Sequence, residues 1–402
     1  MADITVRLRR LAHSIERLIA IAGTPGVAIG VMTKDNPIFY DNHGCRDVEK
    51  KLAVTEDTIF PICSLTKAIT AAGLGLLVEE DRVSWDSLIK DILPDFRSVS
   101  PVLHNNTIMT DILCHRTGMG WGDNVILGTA GNVLLRAGDV MKYINNRPLS
   151  YFDFMQSRLL NPLGMERTSF QTPSKSVEGV AVCYNTLDDA STVPIDFLKM
   201  GDDGSFIKGS NSQASENVSP DVGSPLKQLS HIMSAKIPFD QPSQHEASYV
   251  FGWGRVQLPG RFGQIGLNPA LLPQGMPNIG RGISNLVLFH QGSLPGSLTF
   301  VGLLPETETV IVVLTNSLAL NDAADWIGQM IIEEIVNVPS ELKIDFIGLA
   351  EAAVTENLKW YPRLLDELEK GRKAGTSPRP LAEYVGTYWD DLHILKVEVK
   401  LV

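Results

Sequence analysis

Residues 64–78 read SLTKAITAAGLGLLV. After Lys67 the run is Ala, Gly, Leu, Ile and Val with a single Thr. A helix that is apolar on every side is buried in the middle of a domain. The chain must therefore build layers around this segment, and 402 residues are enough to do so and to form more than one domain. The buried helix opens with Ser64 and, one turn later, Lys67. Residues three apart share a helix face, and lysine is almost never fully buried without a partner. Two readings follow. Ser64 is an N-cap beside a lysine that reaches out to solvent. Alternatively it is a nucleophile at the positive end of the helix dipole, activated by a lysine that desolvation has made ready to lose its proton. Spacing alone does not separate them, because Ser-x-x-Lys also begins at Ser87, Ser205, Ser224 and Ser340. The apolar context singles out Ser64.

The flanking segments predict what surrounds this helix. The N-terminus places Val6, Leu8, Leu11, Ile15, Leu18 and Ile19 at helical spacing, interrupted by Arg and Glu. That is an amphipathic surface helix rather than a signal peptide. PGVAIGVMTKDNPIFYDNHG then reads as a β-hairpin. YFDFMQSRLLNPLGM is a further helix, stopped at Pro162. Residues 201–225 are polar and rich in Ser, Gly and Asn, the composition of a loop. Beyond them YVFGWGRVQL, SNLVLFHQGSL, LTFVGLLP and ETVIVVLTNS are short strands split by Gly and Pro, and DAADWIGQMIIEEIV closes with a helix. Strands near both ends with helices between them predict an α+β fold whose first and last strands share one sheet.

Composition excludes several functions. The net charge of -11 opposes nucleic-acid backbones and anionic membranes. The longest apolar run, ITAAGLGLLV, is far short of the roughly 20 residues of a membrane span, so a soluble cytoplasmic protein is expected. Four scattered cysteines form no Cys-x-x-Cys pair, and eight histidines show no metal-ligand spacing. There is no Walker A loop and no Gly-x-Ser-x-Gly elbow. Besides Ser64 and Lys67, the other candidate for chemistry is LFHQGSLPGS. A strand there runs through His290, Gly292 and Ser293, and a strand glycine lets a substrate or another backbone come close. A solvent-facing histidine in a hairpin is the plainer alternative.

Together these blocks resemble the serine β-lactamase and penicillin-binding-protein superfamily, in its branch of class C-like esterases, D-aminopeptidases and acyltransferases. The resemblance rests on Ser64-Leu65-Thr66-Lys67, His115-Arg116-Thr117-Gly118, Pro162-Leu163-Gly164-Met165 with Thr168, and His290-Gln291-Gly292, in that order. It implies an antiparallel sheet flanked by helices, with a helical subdomain and the active site in the cleft between. It implies that Ser64 forms an acyl-enzyme on a small ester or amide, with Lys67 as base. The backbone N–H groups of Ser64 and Ser293 would form the oxyanion hole, and His290, Gly292 and Ser293 would line the substrate site. It implies no metal or organic cofactor. Acyl transfer in secondary metabolism is a further use of the same chemistry. The expected layout is a catalytic domain over 1–338 with its helical part near 80–200, a helical segment and linker over 339–378, and the start of a β extension over 379–402 that stops early.

The superfamily also carries a Tyr-x-Asn element, whose phenol moves protons at the nucleophile. The match here is Tyr143-Ile144-Asn145. Between it and Pro162 there is room for one helix rather than two. Two readings stay open: Tyr143 fills the role, or the tyrosine segment is missing. In the second case the chain is a shortened, catalytically impaired homologue with a binding role.

Overall fold

The computed structural model describes residues 4–118 less 35, 94–95 and 97–99; 154–195 less 166 and 170–176; 208–210; and 226–401 less 240–244, 374, 376, 378 and 390–395. A nine-stranded antiparallel sheet organises it. In chain order the strands are β1 (Gly26–Thr33), β2 (Phe39–Asp47), β3 (Leu52–Ala53), β4 (Ile237–Pro238), β5 (Ala247–Tyr249), β6 (Gly254–Gln257), β7 (Leu286–Leu294), β8 (Ser297–Leu304) and β9 (Thr309–Thr315). Their order across the sheet is β3-β2-β1-β9-β8-β7-β6-β5-β4. The first long strand thus pairs with the last, from Val27 opposite Thr315 to Thr33 opposite Thr309. The expected α+β architecture is the one observed, and the N-terminal hairpin is its β1–β2 pair.

GVAIGVMT and TVIVVLT are continuous apolar runs because both faces of the sheet are covered. Val27, Ile29, Val31, Ile311 and Val313 point into one core with α1 (Ala12–Ala22), α3 (Ala323–Ile335) and α4 (Phe346–Asn357). Ala28 and Leu314 point the other way, toward Phe60 and Leu65. That second face carries α2 (Thr66–Glu79), the all-apolar helix of the sequence. Its glycines fit it closely between neighbours: a Cβ on Gly73 would lie 2.3 Å from Met155 Sδ, and one on Gly75 would lie 3.2 Å from Ile232 Cδ1.

The helix expected to stop at Pro162 ends just before it in a π-type turn, Gln156–Leu160, and a tight turn follows. It closes at Gly164, whose φ of 66° allows Met165 N–H to bond back to the Leu160 carbonyl. Of the polar tract 201–225, residues 208–210 are described, and they pair as a strand with Ile59–Pro61. The rest of that tract, like Tyr143, lies outside the described residues. After α4 comes α5 (Trp360–Gly371), on which Trp360, Tyr361, Leu364, Leu365 and Leu368 are all exposed. Among the described residues no helix is long and apolar enough to cross a membrane.

Helix α3 lies against β8 through Gly328, where a Cβ would stand 2.3 Å from the buried Phe300 ring. Gly328→Ala is expected to cost about 1–3 kcal/mol by overpacking. Gly371→Ala, at the end of α5 with nothing within 4 Å, is expected to be neutral or slightly stabilising. Urea unfolding of the two variants checks the contrast. A second expectation concerns His43 on β2. Its Nε2 lies 3.1 Å from Asp41 Oδ1 and its Nδ1 3.7 Å from Glu16 Oε1 on α1. The Asp41 carboxylate beside it raises its pKa above the ordinary 6.5, against the opposing effect of burial. The charged form is therefore favoured in the folded state. This contribution to stability is complete below about pH 6.5 and is lost as pH rises through the folded value. Unfolding free energies measured across that window should fall with pH, and His43→Gln should flatten the slope.

Candidate active site

Ser64 sits in a one-turn 3-10 helix, Cys63–Leu65, that leads directly into α2. This places it at the positive end of a 14-residue helix. Lys67, in the first turn of α2, donates from Nζ to Ser64 Oγ at 2.7 Å. Both residues are half-buried. The N-cap alternative is not what forms: no side chain caps either helix start, and the serine hydroxyl is taken by the lysine.

The turn that carries Ser64 is strained and tightly anchored. Cys63 has a φ of 52°, a conformation that non-glycine residues rarely adopt and that functional sites concentrate. Three groups hold it. Ser297 Oγ lies 3.1 Å from the Pro61 carbonyl, and Thr299 Oγ1 donates to the Ile62 carbonyl at 3.3 Å. Gly292 on β7 provides the third: a Cβ there would stand 2.8 Å from Cys63 Cβ and 2.9 Å from the Ile62 oxygen. The strand glycine read from sequence as a place of close approach is thus where the sheet meets the Ser64 turn. Burial pushes the Cys63 thiol up to about 12. It stays protonated and does not compete with Ser64 as a nucleophile.

His290 lies two residues before Gly292, on the same face of β7. Its side chain is buried rather than solvent-facing, at 4% exposure. Nδ1 bonds to the Gln291 carbonyl, and Nε2 lies 3.2 Å from the Tyr249 hydroxyl. Burial lowers the His290 pKa to about 3; the Gln291 carbonyl opposes this, and the charge of Lys67 adds to it. Tyr249 is also buried, which raises its pKa, so the phenol keeps its proton. Its ring meets His115 edge-on at 5.3 Å between centroids. Burial first, then Lys67, lowers the pKa of His115. Ser293 is exposed at the end of β7. The structure therefore brings together Ser64, Lys67, His290 and Gly292 on one face of the sheet. Tyr143 is not among the described residues. Among the described residues no group of His, Cys, Asp or Glu could hold a metal ion.

Three neighbours of the site escape a reading of the sequence. His115-Arg116-Thr117-Gly118 reads as part of a helix end and turn. It is that, after Met109–Leu113, but a φ of 56° at His115 also carries the imidazole to Tyr249. Tyr249 and Gly252 flank a tight turn in which Val250 N–H bonds to the Trp253 carbonyl. Gly252 has a φ of 76°, and a Cβ there would stand 2.6 Å from the carbonyl carbon of Lys67. The run VFGWG is the available signal, since a glycine between two large side chains before a strand marks a close approach.

The Beta-lactamase family profile matches residues 11–331, and the chain belongs to that family. An unguisins hydrolase of Aspergillus violaceofuscus is 22% identical over 438 aligned positions, which cover 91% of this chain and 72% of that protein. A D-aminopeptidase of Gluconobacter oxydans is 25% identical over 201 positions, covering 44% of this chain and 38% of that one. The octameric penicillin-binding protein homologue from Pyrococcus abyssi superposes with a TM-score of 0.66 at 19% identity, over 98% of this chain and 85% of that one. The fold is therefore β-lactamase/transpeptidase-like, as the motifs implied.

The contact of Gly252 with the Lys67 backbone yields a third expectation. Gly252→Ala combines an unfavourable left-handed conformation, costing about 1–2 kcal/mol, with direct overlap on α2. It should displace Lys67 and slow covalent labelling of Ser64 at least tenfold in a protein that still melts cooperatively. Labelling rates and thermal melts on the same preparation check this.

Proposed function

We propose that this chain is a serine hydrolase that acts through an acyl-enzyme on small esters or amides. The observation that carries this is the 2.7 Å contact of Lys67 Nζ with Ser64 Oγ at the head of a buried helix. Two of the similar proteins are named as a hydrolase and an aminopeptidase, which favours amide as well as ester bonds.

In this reading neutral Lys67 takes the hydroxyl proton as Ser64 Oγ attacks the carbonyl carbon. The carbonyl π electrons move onto oxygen, and the backbone N–H groups of Ser64 and Ser293 stabilise the oxyanion by about 3 kcal/mol per donor. Lys67 returns its proton to the leaving alcohol or amine. The same lysine then draws a proton from water as the water oxygen attacks the acyl carbon, and returns it to Ser64 Oγ as the acyl C–Oγ bond breaks and the acid leaves. No step requires a metal or an organic cofactor.

The test is intact mass after incubation with a fluorophosphonate, alongside turnover of a p-nitrophenyl ester. One adduct per chain is expected in the wild type and none in Ser64→Ala. Lys67→Ala should slow labelling by about 10²–10⁴-fold, the usual share of a general base. A folded protein that takes no adduct, or an adduct that survives in Ser64→Ala, would sink the proposal.

A further inference from the structure

We propose that Tyr249 is a positioning residue that holds His290 as the uncharged Nδ1–H tautomer, so that the site accepts acyl groups bearing no free carboxylate. The selectivity rests on the hydrolase reading above; the tautomer does not. The argument starts from donors and acceptors. The Gln291 carbonyl beside Nδ1 can only accept, so Nδ1 carries the proton. Nε2 is then a lone pair, and the group facing it is the Tyr249 hydroxyl at 3.2 Å. Burial keeps that phenol protonated, so it donates. Both ring nitrogens are satisfied within the protein, and neither is left to bind a substrate anion.

The surroundings disfavour the imidazolium as well. Among the described residues the charged groups acting on His290 are Lys67 from α2 and His115 from the turn after Met109–Leu113, and each lowers its pKa. Protonation would place a cation, 4% exposed, beside another cation and would reverse the bond, with Nε2–H donating to the Tyr249 oxygen. A carboxylate leaving water requires a charged partner to replace its hydration. At this strand it would find a neutral ring with no free donor. Among the described residues, the permanent charge acting on this ring is that of Lys67. A carboxylate bound there would favour its ammonium form and so remove the base on which catalysis depends. An uncharged acyl chain incurs neither cost.

The test has two arms. In the first, protein labelled with ¹⁵N at histidine gives ring-nitrogen shifts, with the His290 signals assigned by their loss in His290→Gln. The expected pattern is a protonated Nδ1 and an unprotonated Nε2, unchanged from about pH 7.5 to about pH 5. In Tyr249→Phe the pattern should shift or begin to titrate. In the second arm, kcat/KM is compared for p-nitrophenyl butyrate and p-nitrophenyl hydrogen succinate, which have the same chain length and differ by a terminal carboxylate. The wild type should prefer butyrate at least tenfold, and His290→Lys should shrink or reverse that ratio. A doubly protonated ring at neutral pH, a proton on Nε2, or equal turnover of the two esters by the wild type would overturn the proposal. If neither ester is turned over and no fluorophosphonate adduct forms, the hydrolase reading and the selectivity fall together. The ring-nitrogen shifts then decide the role of Tyr249 alone.

Discussion

The contact between Gly292 and the Cys63 turn is the constraint on which the site depends. Ser64 at the head of a helix and His290 on a strand belong to separate elements, and something must fix their separation. Here the two backbones meet where no side chain intervenes: even a methyl group on Gly292 would stand 2.3 Å from Thr299 Oγ1 and 2.8 Å from Cys63 Cβ. Ser297 and Thr299, on the partner strand, hold the carbonyls of Pro61 and Ile62. Net hydrogen-bond contributions of about 1 kcal/mol each are modest. Their value is positional, because a displacement of about 1 Å between nucleophile and substrate can cost about a hundredfold in rate.

The reverse side of the same strand is held by a polar network. Gln291, between His290 and Gly292, donates to Asp325 Oδ1 at 2.7 Å. Asn268 donates to Asp325 Oδ2 and accepts from the Asp322 N–H, while Asp322 caps α3 by accepting from the Asp325 N–H. Both carboxyls are fully buried. Burial raises the pKa of each, and Asp322 also faces Asp325, whereas the amides of Gln291 and Asn268 oppose the rise at Asp325. Leaving a buried donor or acceptor unpaired costs about 1–3 kcal/mol, so the network resists any slip of β7 along α3. The strand that forms one wall of the site is thus fixed in front by close packing and behind by hydrogen bonds.

The parts legible in the sequence are those whose signal is local. The Ser64–Lys67 pair lies within one helical turn, and the apolar run after it announces a buried helix. Two-sided burial makes β1 and β9 readable as continuous apolar strands, and the arrangement of strands at both ends predicts their pairing. Other features are hidden because they arise from register and from backbone conformation. The Tyr249–His290 bond joins residues 41 apart through β6, which pairs with β5 on one side and β7 on the other. His290 could have faced solvent, since a single histidine in a hairpin gives no indication of its side; the alternation that buries Phe289 on one face and His290 on the other is fixed only by the complete sheet. The left-handed turns at Cys63 and His115 leave little compositional trace, because neither residue is a glycine and even histidine, though several-fold enriched there, enters that region in a small minority of cases. The domain limits drawn at 338 and 378, and the role assigned to Tyr143, rest on the sequence alone.

These elements divide the electrostatic work of the site. In the proposed mechanism Lys67 must be able to shed a proton, and its surroundings decide how readily it does so. Facing it are His290 and His115, two rings whose own pKa values it depresses. The influence is mutual: every cation that formed on either ring would disfavour the ammonium of Lys67, and every anion brought near would favour it. Keeping His290 uncharged therefore removes one ionisation that would be coupled to that of the lysine. A lysine at position 290 would add a permanent charge to attract carboxylates, and Lys67 would then titrate against that charge. A histidine tied to Tyr249 gives up this attraction, and in return Lys67 stands beside a neutral wall.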